Sequence, residues 1–171
     1  MEDLKRYIRE VADYPKPGIN FYDITTLLKE PQGLRATVDS FGRLFRDRVI
    51  DKVVGIESRG FLFGPQLAYQ FSAGFVPVRK PGKLPAETVS QSYELEYGTD
   101  ELEMHRDAVE AGERVLIVDD VIATGGTAAA TAELVKSCGA EVAGFGFVVE
   151  LTFLDGRSKV GDYDVQTLVR Y

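Results

Sequence analysis

Residues 114–131 read Arg-Val-Leu-Ile-Val-Asp-Asp-Val-Ile-Ala-Thr-Gly-Gly-Thr-Ala-Ala-Ala-Thr. The run at 115–118 contains only β-branched residues and leucine, which is typical of a strand buried on both faces of a parallel sheet. Asp119 and Asp120 follow directly, where such a strand opens into the ligand crevice of an α/β fold. The alanine-rich segment after the loop predicts a helix that ends near Cys138. This order of strand, carboxylates, loop and helix predicts an α/β fold with a binding site at the loop.

The loop that joins this strand to its helix has the composition of a phosphate-binding site. Gly125 and Gly126 allow positive φ angles and a close approach of the backbone to a bound group. Thr124 and Thr127 add hydroxyls, and the N–H groups at the start of the helix carry partial positive charge. With Ala123, these residues form the predicted anion site.

The two carboxylates beside this loop would repel a phosphate, so they need a different role. They could accept hydrogen bonds from two neighbouring sugar hydroxyls, or help to hold a divalent cation. The predicted ligand is therefore a sugar phosphate, with the sugar over Asp119 and Asp120 and the phosphate in the loop.

Other loops of similar composition do not fit. A Walker loop requires a lysine after its last glycine, and a dinucleotide-binding loop requires Gly-x-Gly-x-x-Gly after its first strand. Neither spacing occurs here. An ordinary strand-to-helix turn with a threonine near the N-cap remains the alternative, and the complete pattern of hydrophobic residues, Asp-Asp and Ala-Thr-Gly-Gly-Thr favours the phosphate site.

The composition is that of one globular domain spanning residues 1–171. The net charge of −7, from 20 basic and 27 acidic residues, disfavours nucleic acid and acidic membranes as partners. The single cysteine, Cys138, cannot form an internal disulfide, and this favours a cytoplasmic location. We expect no signal peptide and no membrane span, because the start of the chain is charged and no apolar run is long enough.

Apolar patterns outside the central stretch predict alternating helices and strands. Helices are predicted over about 2–12, 31–49 and 60–71, and strands over 51–57, 75–79, 142–150 and 165–170. Weak alternation over 88–99, continuing to Met104, predicts an exposed two-stranded flap, a kind of element that can shield reactive intermediates from water. The whole pattern predicts a mostly parallel central sheet flanked by helices.

Basic residues gather where two of these strands end. Arg59 follows one strand, and Arg79, Lys80 and Lys83 follow the next within five positions. They could form solvated surface turns, but strand ends that face a common crevice favour an anion site, and a pyrophosphate would fit it. In the flap, Glu96 is the carboxylate best placed by sequence to be delivered to a bound substrate.

Two further features have alternative explanations. The aromatic pair in Ile19-Asn-Phe-Tyr22 could pack in the core or form a platform for a flat ligand. The single histidine, His105, has no evident partner in the sequence, and we interpret it as structural or exposed.

With these residues in view, the chain resembles the adenine phosphoribosyltransferases, which are type I phosphoribosyltransferases, along nearly its whole length. The resemblance rests on Tyr14-Pro-Lys-Pro-Gly-Ile19, Phe21, Asp23-Ile-Thr25, Glu57-Ser-Arg-Gly-Phe-Leu-Phe-Gly64, Val78-Arg-Lys-Pro-Gly-Lys-Leu-Pro85, Ser92-Tyr-Glu-Leu-Glu-Tyr-Gly98 and the binding signature at Val115–Thr127. It implies the type I phosphoribosyltransferase fold, with residues 1–30 contributing a purine-binding hood and about 80–106 a mobile flap.

The resemblance also implies an activity in purine salvage: adenine and 5-phosphoribosyl-1-pyrophosphate would give AMP and pyrophosphate, with Mg²⁺ carried by the substrate in the neighbourhood of Asp119 and Asp120. Those carboxylates would hold the ribose hydroxyls, and Ala123 to Thr127 the 5′-phosphate. The resemblance assigns pyrophosphate to the basic residues, some from the neighbouring subunit of a homodimer: Arg59, Arg79, Lys80 and Lys83. It assigns the purine to Ile19, Asn20 and Phe21, with Phe21 stacking on the base, and makes Glu96 the catalytic acid or base.

Two alternatives follow from the same residues. Asn20 and Tyr22 lie where the purine is read, so the base could instead be hypoxanthine or guanine. A regulator could retain the phosphoribosyl-pyrophosphate site without catalysis. Such regulators usually add a DNA-binding domain or a basic face, and this acidic chain has no room for the former.

Overall fold

The computed structural model describes residues 3–94 and 98–171. The strands are β1 (Arg9–Val11), β2 (Phe21–Asp23), β3 (Lys52–Ile56), β4 (Gly74–Val78), β5 (Thr88–Glu94), β6 (Thr99–His105), β7 (Arg114–Ile122), β8 (Glu141–Glu150) and β9 (Val165–Arg170). The α-helices are α1 (Thr25–Lys29), α2 (Pro31–Leu44), α3 (Gly64–Phe71), α4 (Gly126–Ser137) and α5 (Gly156–Val160). Short 3₁₀ turns occupy Leu4–Tyr7, Arg59–Leu62 and Thr152–Leu154.

Five parallel strands form the central sheet in the order β4-β3-β7-β8-β9. The predicted central strand is confirmed as β7, and its residues from Val115 to Val118 are fully buried between β3 and β8. Because parallel strands end at the same edge of a sheet, the residues after β3, β4 and β7 converge at one crevice. The predicted α/β fold class is confirmed.

The two faces of the sheet bury separate apolar clusters. Val53 and Leu116 face a cluster that includes Phe41 of α2 and Leu67 of α3. Neighbouring strand positions such as Ile117 face the opposite cluster, which includes α4 and the flap. This alternation follows from the two-residue period of a strand and explains the continuous apolar runs in β3, β7 and β8.

The first thirty residues differ from the sequence prediction. The helix predicted over 2–12 is wrong: its described part is a 3₁₀ turn at Leu4–Tyr7 followed by β1. The turn is capped by Asp3, whose side chain accepts the N–H of Lys5 at 3.1 Å. The strand then pairs with β2, and Arg9 donates to Asp23 at 2.5 Å and 3.1 Å. Pairing with a distant segment satisfies the backbone groups that a helix would have satisfied locally.

The helix predicted over 31–49 ends earlier than expected, at Leu44. Past this point Arg48 donates to the carbonyl of Ala143 at 2.7 Å and to the carboxylate of Asp164 at 2.6 Å. These long-range contacts hold the chain in the turn that leads into β3.

The predicted pairing of two strands is confirmed as the antiparallel pair β5–β6, from Thr88 opposite His105 to Glu94 opposite Thr99. The pair is not exposed on both faces, because Leu102 and Met104 of β6 are fully buried in the core. Arg79 and Glu103 exchange backbone hydrogen bonds of 2.9 Å and 2.7 Å, which join the base of the flap to the end of β4. The ring of His105 accepts the N–H of Ala86 at 3.4 Å, in agreement with a structural role.

Within residues 3–94 and 98–171, no helix combines the length and the apolar character needed to cross a bilayer.

Candidate active site

A cavity of about 430 Å³ lies where the hood, the carboxyl edge of the sheet and the base of the flap meet. Three parts of the chain line this cavity. The first thirty residues contribute Ile19, Asn20, Phe21 and Tyr22, and the flap contributes Tyr93 and Leu102. The edge of the sheet contributes the others: Glu57, Ser58, Arg59, Lys80, Asp119, Asp120, Val121, Ala123, Thr127 and Leu151. Most of the predicted site residues therefore come together in one place.

The carboxylate pair Asp119 and Asp120 lines this cavity. Asp120 is 4% exposed and forms an ion pair with Arg59. The carboxylate of Asp119 accepts the N–H of Asp120 at 2.8 Å. Burial raises the pKa of Asp119 well above its usual value, and the neighbouring negative charge of Asp120 raises it further. Asp119 is thus the carboxylate of the pair that most needs a hydrogen-bond donor or a cation from a ligand.

Arg59 joins the carboxylates to the hood. Its guanidinium carbon lies 5.8 Å from the ring centroid of Phe21, a cation–π distance. Within the hood, the rings of Tyr14 and Phe21 meet edge to face at 5.3 Å. Phe21 is half-buried and lines the cavity, so it combines the packing role and the platform position that the sequence left open.

A smaller cavity of about 80 Å³ lies at the loop before α4 and shares Asp119, Val121, Ala123 and Thr127 with the lining of the first one. All five predicted loop residues line it: Ala123, Thr124, Gly125, Gly126 and Thr127. The first N–H groups of a helix have no partner within it, so this cavity presents donors to an anion.

Gly125 shows how tightly this loop is built. Its φ angle is +79°, in the left-handed region. A Cβ atom at this position would lie 2.2 Å from the carbonyl oxygen of Gly156, at the start of α5. The loop shape therefore requires glycine, both for the backbone angle and for the contact with α5.

The basic residues after β4 surround a carboxylate that the sequence analysis missed as a functional group. Glu57, at the end of β3, accepts the N–H of Lys80 at 3.0 Å and the Nε–H of Arg79 at 3.2 Å, and it forms an ion pair with Lys83. Burial alone would raise the pKa of Glu57, but these hydrogen bonds outweigh it and lower the pKa to about 2. The position of Glu57 directly after a predicted buried strand was the signal in the sequence that could have identified it.

The ammonium group of Lys80 turns away from this cluster toward the flap. It forms an ion pair with Asp100 of β6 and lies 3.1 Å from the hydroxyl of Tyr93 on β5. Burial lowers the pKa of Lys80, but the bonds to Asp100 and Tyr93 outweigh it and raise the pKa above its usual value. Lys80 is therefore charged and held between the sheet edge and the flap.

Three predicted residues lie apart from the cavity lining or outside the described residues. Arg79 and Lys83 do not line the main cavity. Both side chains contact Glu57, which does line it. Glu96 lies outside the described residues. The neighbouring flap residue Tyr93 packs against the start of α4, where a Cβ atom on Gly126 would lie 3.3 Å from its ring.

Comparison with known proteins agrees with this geometry. Residues 23–168 match the family described as the phosphoribosyl transferase domain. The adenine phosphoribosyltransferase of Acaryochloris marina is 62% identical over 169 residues, covering 99% of each chain. The chain belongs to the adenine phosphoribosyltransferase family.

Solved structures of adenine phosphoribosyltransferases have the same fold. The enzyme from Thermoanaerobacter pseudethanolicus has a TM-score of 0.95 and 53% identity, with 98% of each chain covered. The enzyme from Saccharomyces cerevisiae, solved with adenine and an imino-altritol bisphosphate, has a TM-score of 0.91 and 46% identity, with 96% of each chain covered. The resemblance found in the sequence, the type I phosphoribosyltransferase fold and the enzyme class are therefore confirmed.

Proposed function

We propose that this adenine phosphoribosyltransferase binds its substrates along the two neighbouring cavities, which share four lining residues, in the order in which the parts of AMP are linked. Three features follow one another along this path: the aromatic wall at Phe21, the carboxylates Asp119 and Asp120, and the loop before α4. The order of base, ribose and 5′-phosphate in a nucleotide is the same. This continuous arrangement is the observation that carries the proposal.

In this proposal the hood receives adenine. Phe21 stacks on the base, and Ile19 and Asn20 line the same end of the cavity, where main-chain groups can read the amino edge of the purine. Residues 1–30 are thus assigned as the purine-binding hood, within a single domain of residues 1–171.

The carboxylate pair and the loop hold the phosphoribosyl group. Asp119 and Asp120 accept hydrogen bonds from the two ribose hydroxyls, and Ala123, Thr124, Gly125, Gly126 and Thr127 surround the 5′-phosphate. Burial raises the pKa of Asp119 above its usual value, so a ligand that brings hydrogen-bond donors to this carboxylate stabilises its charged form.

The pyrophosphate is assigned to the basic residues at the ends of β3 and β4: Arg59, Arg79, Lys80 and Lys83. Carboxylates already pair with these side chains: Glu57 with Arg79 and Lys83, Asp100 with Lys80, and Asp120 with Arg59. An incoming pyrophosphate can replace these carboxylates as the anionic partner, which places positive charge where negative charge develops on the leaving group.

The proposed cofactor is Mg²⁺ carried by phosphoribosyl pyrophosphate. The residues present fit a shared cation: Asp119 and Asp120 offer hard oxygen ligands, and no cluster of three or more acidic, histidine or cysteine side chains suited to a metal occurs among residues 3–94 and 98–171. The remaining ligands would come from the substrate and water, as is usual for this ion. When bound, Mg²⁺ supplies positive charge beside the leaving pyrophosphate.

The reaction forms a bond from N9 of adenine to the anomeric carbon of the ribose and breaks the bond from that carbon to pyrophosphate. N9 loses its proton in the process, and Glu96 in the flap is the proposed acceptor, directly or through a water molecule. We assign residues of about 80–106 as the mobile flap, which would close over the site and limit hydrolysis of the activated sugar.

The proposed assembly is a homodimer, with some pyrophosphate-binding residues supplied across the interface. Two apolar side chains are left exposed on this side of the chain, Leu62 in the turn that carries Arg59 (42%) and Tyr69 on α3 (89%), and a second subunit could cover them. The cytoplasmic location stays a prediction, and neither nucleic acid nor a membrane is proposed as a partner.

The test is a steady-state assay with phosphoribosyl pyrophosphate and Mg²⁺, in which adenine, hypoxanthine and guanine are offered separately. We expect AMP formation with adenine and at least about 100-fold lower kcat/KM with either 6-oxopurine, since a site built to pair with an amino group leaves buried polar groups unpaired with its oxo analogue. Preferred turnover of hypoxanthine or guanine would refute the assignment of the hood. Tight binding of phosphoribosyl pyrophosphate without turnover of any base would favour a regulator.

A further inference from the structure

The hood is a separate structural unit whose position must be fixed by side-chain packing. Among the described residues, β1 and β2 pair only with each other and do not join the five-stranded sheet. A two-stranded sheet of three-residue strands is marginal on its own. The wall of the cavity at Phe21 and Tyr22 therefore depends on contacts with the body of the protein.

Among the described residues, Tyr171 makes the closest ring-to-ring contact between the hood and the rest of the protein. Its ring stacks on Tyr22 of β2, with centroids 3.8 Å apart and planes inclined by 27°. The ammonium group of Lys5, from the first turn of the hood, lies 4.5 Å from the centroid of the same ring. Burial raises the pKa of the Tyr171 hydroxyl to about 12, as expected for a ring covered by the hood.

The backbone of Tyr171 is fixed to the segment that follows β8. Its N–H donates to the carbonyl of Glu150 at 3.0 Å, and its carbonyl accepts the N–H of Thr152 at 2.9 Å and the hydroxyl of Thr152 at 2.5 Å. Between these two residues lies Leu151, which lines the cavity together with Tyr22. Tyr171 thus connects two lining residues, Tyr22 of the hood and Leu151 after β8, without lining the cavity itself.

From this arrangement we infer that Tyr171 is a positioning residue for the purine. It fixes the distance between the hood and Leu151. The inference rests on the proposed assignment of this end of the cavity to the base. Tyr171 contacts neither the loop before α4 nor the basic cluster through any ring contact or hydrogen bond found among the described residues. Its effect should therefore fall on adenine and spare phosphoribosyl pyrophosphate.

The first test compares Tyr171→Leu with Tyr171→Phe in the full-length enzyme. Leucine removes the stacked ring, and we expect the KM for adenine to rise roughly 3- to 10-fold, the range of one aromatic pair, while kcat and the KM for phosphoribosyl pyrophosphate stay within about twofold. Phenylalanine retains the ring and should restore the KM for adenine.

Tyr163→Leu is the matched control. Tyr163 meets Phe145 edge to face at 5.7 Å and belongs to the cluster on the opposite face of the sheet, away from the hood. We expect this variant to lose stability without a selective rise in the KM for adenine. A folded Tyr171→Leu enzyme with an unchanged KM for adenine, or with both KM values raised equally, would overturn the inference.

A second measurement uses the wild-type protein, so it does not depend on the folding of any variant. Amide hydrogen exchange is compared with AMP and with ribose 5-phosphate, which lacks the base. We expect AMP to give additional protection at Leu151, Thr152 and Tyr171 as well as in β2, because the base would press the joined walls together. Equal protection of residues 151–171 by the two ligands would overturn the inference. Failure of the proposed function would be distinct, since the wild-type enzyme would then form no AMP from adenine.

Discussion

Substitution of Gly125 by alanine tests whether the loop before α4 binds the 5′-phosphate. The alanine would adopt a φ angle near +79°, which costs about 1–2 kcal/mol for a residue with a Cβ atom. The Cβ atom would also lie 2.2 Å from the carbonyl oxygen of Gly156, so the loop or α5 must move by about 1 Å to reach an ordinary contact distance. Such overpacking typically costs a further 1–3 kcal/mol. We therefore expect a loss of about 2–5 kcal/mol in the free energy of unfolding.

The same displacement should weaken catalysis through the phosphate. If it removes two hydrogen bonds from backbone N–H groups to the phosphate, at about 1.5 kcal/mol each, kcat/KM for phosphoribosyl pyrophosphate should fall roughly 100-fold. Urea unfolding followed by circular dichroism gives the stability, and initial rates of AMP formation give kcat/KM.

Gly112→Ala is the matched control for this experiment. Gly112 has a similar φ angle of +82°, but nothing lies within 4 Å of its added Cβ atom. It should show the backbone cost of about 1–2 kcal/mol and an unchanged kcat/KM. If the two variants lost the same stability and Gly125→Ala retained kcat/KM within about threefold of Gly112→Ala, the assignment of the phosphate to this loop would be refuted.

Two further predictions concern carboxylates. Because the pKa of Glu57 is lowered from 4.5 to about 2, its contribution to stability is present above pH 4.5 and is lost as the pH falls toward 2. In Glu57→Gln the unfolding free energy should depend less on pH in this interval, by at most about 1.4 kcal/mol per pH unit, as measured by urea titration at several pH values; equal slopes would contradict the assigned pKa. Replacing Glu96 with leucine should lower kcat at least about 100-fold while phosphoribosyl pyrophosphate still binds. The exposed flap carboxylate Glu94 gives the control, Glu94→Leu, and unchanged turnover in the Glu96 variant would remove Glu96 from the mechanism.

The parts of the fold that the sequence predicted are those in which local pattern and tertiary environment agree. The apolar run of β7 is buried on both sides, as its composition indicated, and the glycine-rich loop leads into α4 as expected. The start of the chain was predicted wrongly because Leu4, Ile8 and Val11 have helical spacing, whereas the segment is held by pairing with β2 some twelve residues later. The local spacing of residues does not indicate that β1 pairs with β2.

The same reason explains which parts of the site were missed. Residues adjacent in sequence, such as Asp119 and Asp120, or grouped within five positions, such as Arg79 to Lys83, were identified directly. Glu57 and Asp100 could be identified only from the fold. Glu57 contacts basic residues more than 20 positions away, and Asp100 contacts Lys80, which is 20 positions away. The contact of Tyr171 with Tyr22 spans nearly the whole chain and leaves no trace in the spacing of residues.

The independence of the small β1–β2 sheet from the central sheet has a consequence for how this architecture can diversify. The hood can change its loop, its aromatic residues and the groups it presents to a base without altering any hydrogen bond of the five parallel strands. The crevice proposed for the phosphoribosyl group meets the hood through side chains, such as Arg59 against Phe21, and not through the hydrogen bonds of the sheet. A scaffold divided in this way can acquire a new nucleobase preference through a short N-terminal exchange, and a chimera carrying a hood from a relative with a different base preference is the natural starting point for redesign.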